Sequence, residues 1–229
     1  MKIIRFFSGK EYKGLGQPQL AKKFLPQWYK DSETVTVDEH GEEHSGLKRC
    51  IPFLDSMISG YMLVTPVDIF ISKNDDGTLN LRWNSIEPLA DFIAERGKDL
   101  GEKIPRPVGH YPNHLAFRGF WGMKTPRGWS LLVVQPLNRF DLPWTITSGI
   151  MDSDQYSTSG NIPFFVREDF EGMVPAGTPF AQLLPIKRES WKSINNDQGI
   201  SYLDTLQGAT VRTPGKSYKK LFWIRKDYN

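Results

Sequence analysis

Apolar and polar positions along this chain fall into short stretches, without the long periods that sustained helices need. Ile3 to Phe7 reads as a first strand, after which Gly9, Gly14, Gly16 and Pro18 interrupt any regular element. Gln19 to Lys30 predicts one or two helical turns broken at Pro26, with Trp28 and Tyr29 as anchors. Asp31 to Gly46 is polar, acidic and unpatterned, and predicts an exposed loop. From Ile51 to Gly60, a proline near the start and a glycine at the end predict a short buried helix. Tyr61 to Ser72 reads as strand, with Pro66 confining it to an edge or a bulge. Asn74-Asp75-Asp76-Gly77 then supplies a turn before the alternating Leu79 to Trp83, which predicts a hairpin.

Ile86 to Arg96, closed by Gly97, predicts a second helix, and Lys98 to Pro112 an irregular connection with three prolines. Beyond it the pattern is β: His114 to Met123 alternates, Trp129 to Gln135 is a continuous apolar run, and Trp144 to Met151 follows the Asp141-Leu142-Pro143 corner. Ile162 to Val166 and Phe180 to Ile186 complete a set of strands separated by Pro, Gly and Asp turns, as in a barrel or sandwich. The tail is less regular, with a helix predicted near Ser201 to Gln207 and a mixed segment over Lys219 to Lys226. The pattern therefore predicts a mainly β chain, barrel or sandwich-like, with a few short helices. It reads as one domain over residues 1–229 with its β core at about 114–187.

Composition agrees. Hydrophobic residues make up 39% of the 229 and charged residues 24%, which excludes intrinsic disorder as the main state. The 16 Pro and 20 Gly are scattered through the chain, against a helical bundle. A net charge of +3 is too small for a nucleic-acid footprint without clustering. The one cysteine, Cys50, excludes an intrachain disulfide and cysteine-rich zinc sites, and reads as a buried structural thiol. With no signal-peptide pattern and no membrane-length apolar window, the expectation is a cytoplasmic protein without a membrane partner.

The densest chemistry lies in Gly149-Ile150-Met151-Asp152-Ser153-Asp154-Gln155-Tyr156 and in Pro175-Ala176-Gly177-Thr178-Pro179-Phe180-Ala181-Gln182-Leu183. An apolar strand delivers the carboxylates of Asp152 and Asp154 to its end, Tyr156 follows on the turn, and Gln182 is a polar residue in an apolar strand. A carboxylate can activate water, a ring can stack on a sugar or base, and a buried amide can read polar edges. Arg127 and Arg139 offer forks that match phosphate. The plainer reading is a turn, because Asp-Ser-Asp side chains commonly bond nearby backbone N–H groups.

These motifs, with Thr125-Pro126-Arg127-Gly128-Trp129-Ser130-Leu131, resemble in type and order the dUTPase and dCTP deaminase superfamily, over less than half of the chain. The resemblance implies a β-clip fold and pyrophosphatase chemistry on a nucleoside triphosphate. Asp152 would orient the attacking water, Tyr156 pack against the deoxyribose, and Arg127 and Ser130 bind phosphate. Mg²⁺ would enter through the substrate phosphates, and sites would form between subunits of a homo-oligomer such as a trimer. The chain departs from the pattern where Tyr156 stands one residue late and where Trp129 separates Gly128 from Ser130. The glycine-rich closing arm has only an echo in Thr213 to Ser217. Segments spread over nearly the full length, among them Lys48 to Asp55 and Ile162 to Trp191, are also similar to a family shared by bacterial and phage genomes that carries no established activity.

Two other constellations compete. His40 with His44, and His110 with His114, have the spacing of paired metal ligands on a helix, but Gly41 and Pro112 deny both pairs a helix. A metal-dependent oxygenase on a double-stranded β-helix is expected only with a nonstandard ligand set. In the tail, Arg212, Lys216, Lys219, Lys220, Arg225 and Lys226 interleave with Tyr218, Phe222 and Trp223, as in single-strand binders, or simply as packed aromatics with solvated lysines. Three functional classes follow: a nucleotide-binding or nucleotide-hydrolysing protein, a non-catalytic binding or structural protein such as a phage accessory or assembly factor, and a metal-dependent oxygenase.

Overall fold

A computed structural model describes residues 2–85, 87, 89, 91–97, 103–195, 200–211 and 218–229. Among them sixteen strands stand beside three α-helices, the longest of 12 residues, so the chain is mainly β with a few short helices, as the pattern predicts. All strand pairings are antiparallel, and no sheet closes on itself among the described residues, so the barrel alternative is not realised. No helix among them is long and apolar enough to cross a membrane.

The chain divides into two compact units, Met1–Ala21 with Gly60–Arg188, and Lys22–Ser59 with Glu189–Asn229. The first holds a five-stranded sheet in the order Gly149–Met151, Trp129–Val134, Pro179–Lys187, Tyr61–Val64, Gln19–Leu20. A four-stranded sheet runs Trp144–Ile146, Asn161–Val166, Leu115–Arg118, Ile93–Glu95, and a three-stranded one Gly172–Val174, Ile69–Lys73, Leu79–Trp83. Alternation places the side chains: Ile69 and Ile71 are buried and Phe70 between them is exposed. Phe117 lies at the centre of the core, its ring stacked on Phe164 with centroids 3.9 Å apart and flanked by Phe180 at 4.4 Å and Trp144 at 5.2 Å. Leu63, Ile69, Ile71, Phe92 and Tyr111 belong to the same core, which therefore draws on residues well before position 114.

Three local expectations are corrected. The helix expected over Ile86 to Arg96 is replaced in its second half by the strand Ile93–Glu95, while residues 86, 88 and 90 lie outside those described. Pairing Ile93 with Phe117 buries Phe92 and Ile93 together, and this tertiary gain overrides the local preference. Trp144 to Met151 is two strands in two sheets, Trp144–Ile146 pairing with Asn161–Val166 and Gly149–Met151 with Trp129–Val134. Asp31 to Gly46 is exposed as expected, but it is a hairpin of Val35–Val37 and Glu43–Ser45. The β-branched Val-Thr-Val run and a turn through Gly41 at φ +81° account for it.

The hairpin belongs to the second unit, with the helices Gln27–Asp31, Ile51–Ile58 and Ile200–Val211. Cys50 is exposed there, against the buried reading. Asp55, on Ile51–Ile58, is buried and accepts hydrogen bonds from Trp223 Nε1 at 2.8 Å and Lys226 Nζ at 2.7 Å. Two members of the aromatic and basic tail are thus spent on internal packing. Arg212 and Lys216, like Thr213 to Ser217, lie outside the described residues.

Candidate functional site

The strand Gly149–Met151 edges the five-stranded sheet, with Met151 opposite Leu131, and delivers the following turn to one end of Trp129–Val134. Asp152 closes that turn, its carbonyl accepting the amides of Gln155 and Tyr156 at 2.9 Å each. Ser153 is fully buried against Thr125, with hydroxyls 2.8 Å apart. Thr125 gives its proton to the Trp129 carbonyl at 2.7 Å, so Ser153 donates to Thr125.

Asp154 is 1% exposed at its side chain and accepts from the Gly128 amide and from Arg188, both at 2.8 Å. The Arg188 guanidinium, with the Gly128 amide assisting, holds the Asp154 carboxyl well below the usual carboxylate range. Asp152 is 60% exposed and accepts from Ser130 Oγ at 2.6 Å and Arg188 at 3.2 Å. The predicted Asp152, Asp154 and Ser130 do come together. Their organiser is Arg188, which sequence reasoning passed over because nothing local marks an arginine after an apolar strand. The cluster works as a clasp, tying the turn at Gly128 and the turn at Asp154 to the end of the strand Pro179–Lys187. Asp154 has its charge matched and its oxygens occupied, which unsuits it to take a proton from water. Arg127 is exposed on the same turn with no partner among the described residues, and Tyr156 is 70% exposed.

Gln182 lies level with the other end of the strand Trp129–Val134, and Arg139 in the turn beyond it. Gln182 pairs with Val134, whereas Asp152 follows the residue that pairs with Leu131 and so lies level with Ser130, a separation of four residues or about 13 Å along the sheet. The Gln182 amide is fully buried and accepts from the Leu137 N–H at 2.8 Å, so it holds the turn at 136–139. Asn138 takes φ 58° in that turn, a left-handed conformation Asn tolerates. The turn carries Arg139 into a bidentate pair with Asp141, both bonds 2.8 Å.

Arg139 lines a cavity of about 720 Å³ together with His110, Phe140, Leu142, Trp144 and Arg167, among others. Arg167 repeats the Arg139 arrangement: it pairs with Asp169 two residues on, Nε to Oδ1 at 2.9 Å, and donates to the Phe140 carbonyl at 2.6 Å. His110 Nδ1 lies 3.0 Å from the Val108 carbonyl, which can only accept, so the proton sits on Nδ1 and Nε2 faces Thr145 Oγ1 at 2.9 Å. On the walls, Arg139 and Arg167 are balanced by Asp141 and Asp169, and Glu168 by Arg106 at 3.7 Å. Phe140, 79% exposed, and Val108, fully exposed, stand at the same cavity. The sequence signal for this place is the doubled Arg-x-Asp at 139–141 and 167–169.

The histidine pairs do not act as pairs. His110 serves the cavity wall, while His114 is buried against Phe165 with ring centroids 4.9 Å apart and both nitrogens without a partner among the described residues. His44 bonds Asp38 at 2.8 Å, and His40 approaches Glu39 at 3.6 Å. No protein-family model, curated protein or solved structure matches this chain.

Proposed function

We propose that the protein is a non-catalytic binding protein whose ligand is a small, planar, uncharged group, of the kind a nucleobase presents, held in the cavity bordered by His110, Arg139 and Arg167. The observation that carries this reading is the pair of flat guanidinium–carboxylate forks beside an apolar wall of Phe140, Leu142 and Trp144. A volume of about 720 Å³ suits a small ligand. Arginines already neutralised by aspartates attract free phosphate weakly, but a guanidinium plane still stacks on an aromatic face. Recognition would then fall on the base of a nucleotide and not on its phosphates. The engagement of Asp154 by Arg188 supports binding over hydrolysis.

Titration calorimetry with nucleosides and their mono- and triphosphates tests the proposal. Nucleosides should bind about as tightly as their phosphates, and Arg167→Lys, which loses the flat fork, should weaken both. At 100 times the dissociation constant the ligand should stabilise the fold by about 2.7 kcal/mol. Failure of every nucleoside to bind would sink the reading. Turnover of dUTP or dCTP that disappears in Asp152→Asn would move the function to the Arg188 cluster instead.

A further inference from the structure

Residues 31–47 carry six carboxylates, those of Asp31, Glu33, Asp38, Glu39, Glu42 and Glu43, and no lysine or arginine. Three of the side chains in this segment converge for reasons of register. The hairpin sets Thr36 opposite His44 and Val37 opposite Glu43, and the Asp38 amide donates to the Glu42 carbonyl at 3.1 Å, which brings Asp38 across from Glu42. Side chains alternate along a strand, so Glu42 and His44, two residues apart, share a face, and Asp38 joins them from the other side of the turn. Two carboxylates facing each other across a hairpin repel. Here a donor atom from each of Asp38, Glu42 and His44 lies within 4.8 Å of the other two, and Asp38 Oδ2 is 2.8 Å from His44 Nε2.

We propose that Asp38, Glu42 and His44 form a surface site for a divalent transition-metal ion, with Zn²⁺ the best match. One imidazole and two carboxylates with an open fourth position is a ligand set that zinc accepts, whereas calcium and magnesium take oxygen donors. Bonds near 2 Å in a tetrahedral shell set donor atoms roughly 3.3 Å apart, so the three side chains need shifts of only about 1 Å. Exposure permits that adjustment: the His44 side chain is 55% and that of Asp38 33% accessible. Asp38 is already aimed, because its Oδ1 accepts the amides of His40 and Glu42 at 2.9 Å each and leaves Oδ2 toward His44. The ion would take the place of the proton between His44 and Asp38 and offset the repulsion between the two carboxylates.

The test is calorimetric titration of the metal-stripped full chain with Zn²⁺, and separately with Ca²⁺. One Zn²⁺ should bind per chain, more tightly than Ca²⁺. His44→Ala and Glu42→Gln should each weaken it at least about tenfold, no less than the loss of a group that only orients a ligand costs. Glu42→Gln keeps the backbone bonds of the hairpin, so its effect does not depend on a folding defect. His40→Ala, which alters a histidine outside the three, should bind as the unaltered chain does. Absence of saturable binding, Ca²⁺ binding as tight as Zn²⁺, or unchanged affinity in both His44→Ala and Glu42→Gln would overturn the site.

Discussion

Replacing His114 with leucine should stabilise the protein, which is unusual for a residue 2% exposed in the β core. A neutral imidazole carries one donor and one acceptor, and neither has a partner among the described residues. Each unsatisfied buried group costs about 1–3 kcal/mol, so removing both returns roughly 2–6 kcal/mol. Against this stands the lost stacking on Phe165, about 0.5–1.5 kcal/mol, and some strain from a side chain of different shape, about 1 kcal/mol. The expected net gain is on the order of 1–3 kcal/mol at pH 8, measured by urea denaturation. Burial, with the nearby Arg96 charge, pushes the His114 imidazole below its ordinary value. The unfolded chain therefore binds a proton near pH 6.5 that the folded chain refuses, and stability falls as pH drops below about 6.5. The slope is about 1.4 kcal/mol per pH unit until the lowered folded value is reached, and His114→Leu should lack that component of the pH dependence. A variant less stable than the parent at pH 8, or one with the same loss between pH 7 and pH 5, would show that the imidazole is satisfied in the folded state and refute the reasoning.

Other consequences can be checked alongside. Asp154 has a lowered folded-state value, so its contribution is present in full above the unfolded value near 3.9 and is lost progressively below it; Asp154→Asn should lower Tm at pH 7, and the gap to the parent should begin to narrow below about pH 4 yet persist at pH 3. Asp152→Asn should shift Tm less, because that carboxylate is 60% exposed. Phe117→Ala removes the centre of the aromatic stack and should cost about 3–5 kcal/mol in urea denaturation, whereas Phe140→Ala, at 79% exposure, should stay within about 0.5 kcal/mol and instead weaken ligand binding at the cavity. Gly128→Ala meets no atom within 4 Å of the added Cβ, so its cost is purely the left-handed φ of +83°, about 1–2 kcal/mol by thermal or chemical denaturation.

The amino-acid sequence by itself determined the elements whose signals are local. The hairpin of Ile69–Lys73 and Leu79–Trp83 follows from alternation around Asn74-Asp75-Asp76-Gly77, and the helix Ile51–Ile58 from Pro52 and Gly60. Asp152, Asp154 and Ser130 were grouped through the resemblance of their motifs, and the pairing of Gly149–Met151 with Trp129–Val134 is what sets them side by side. Only the tertiary structure decided what those groups do. Arg188 meets Asp154 across 34 positions of chain, and whether a carboxylate stands exposed or is locked in an ion pair depends on that register. Gln182 and Arg139 were assigned to the same place on residue type alone, but a β-strand separates its ends by about 3.3 Å per residue, which carried them away from it. Ile93–Glu95 became strand because Phe117 was there to pair with, a neighbour 24 positions later that no local window contains. Turn chemistry and side-chain alternation act over a few residues, whereas burial and charge pairing are settled by whichever distant segments the sheets bring together.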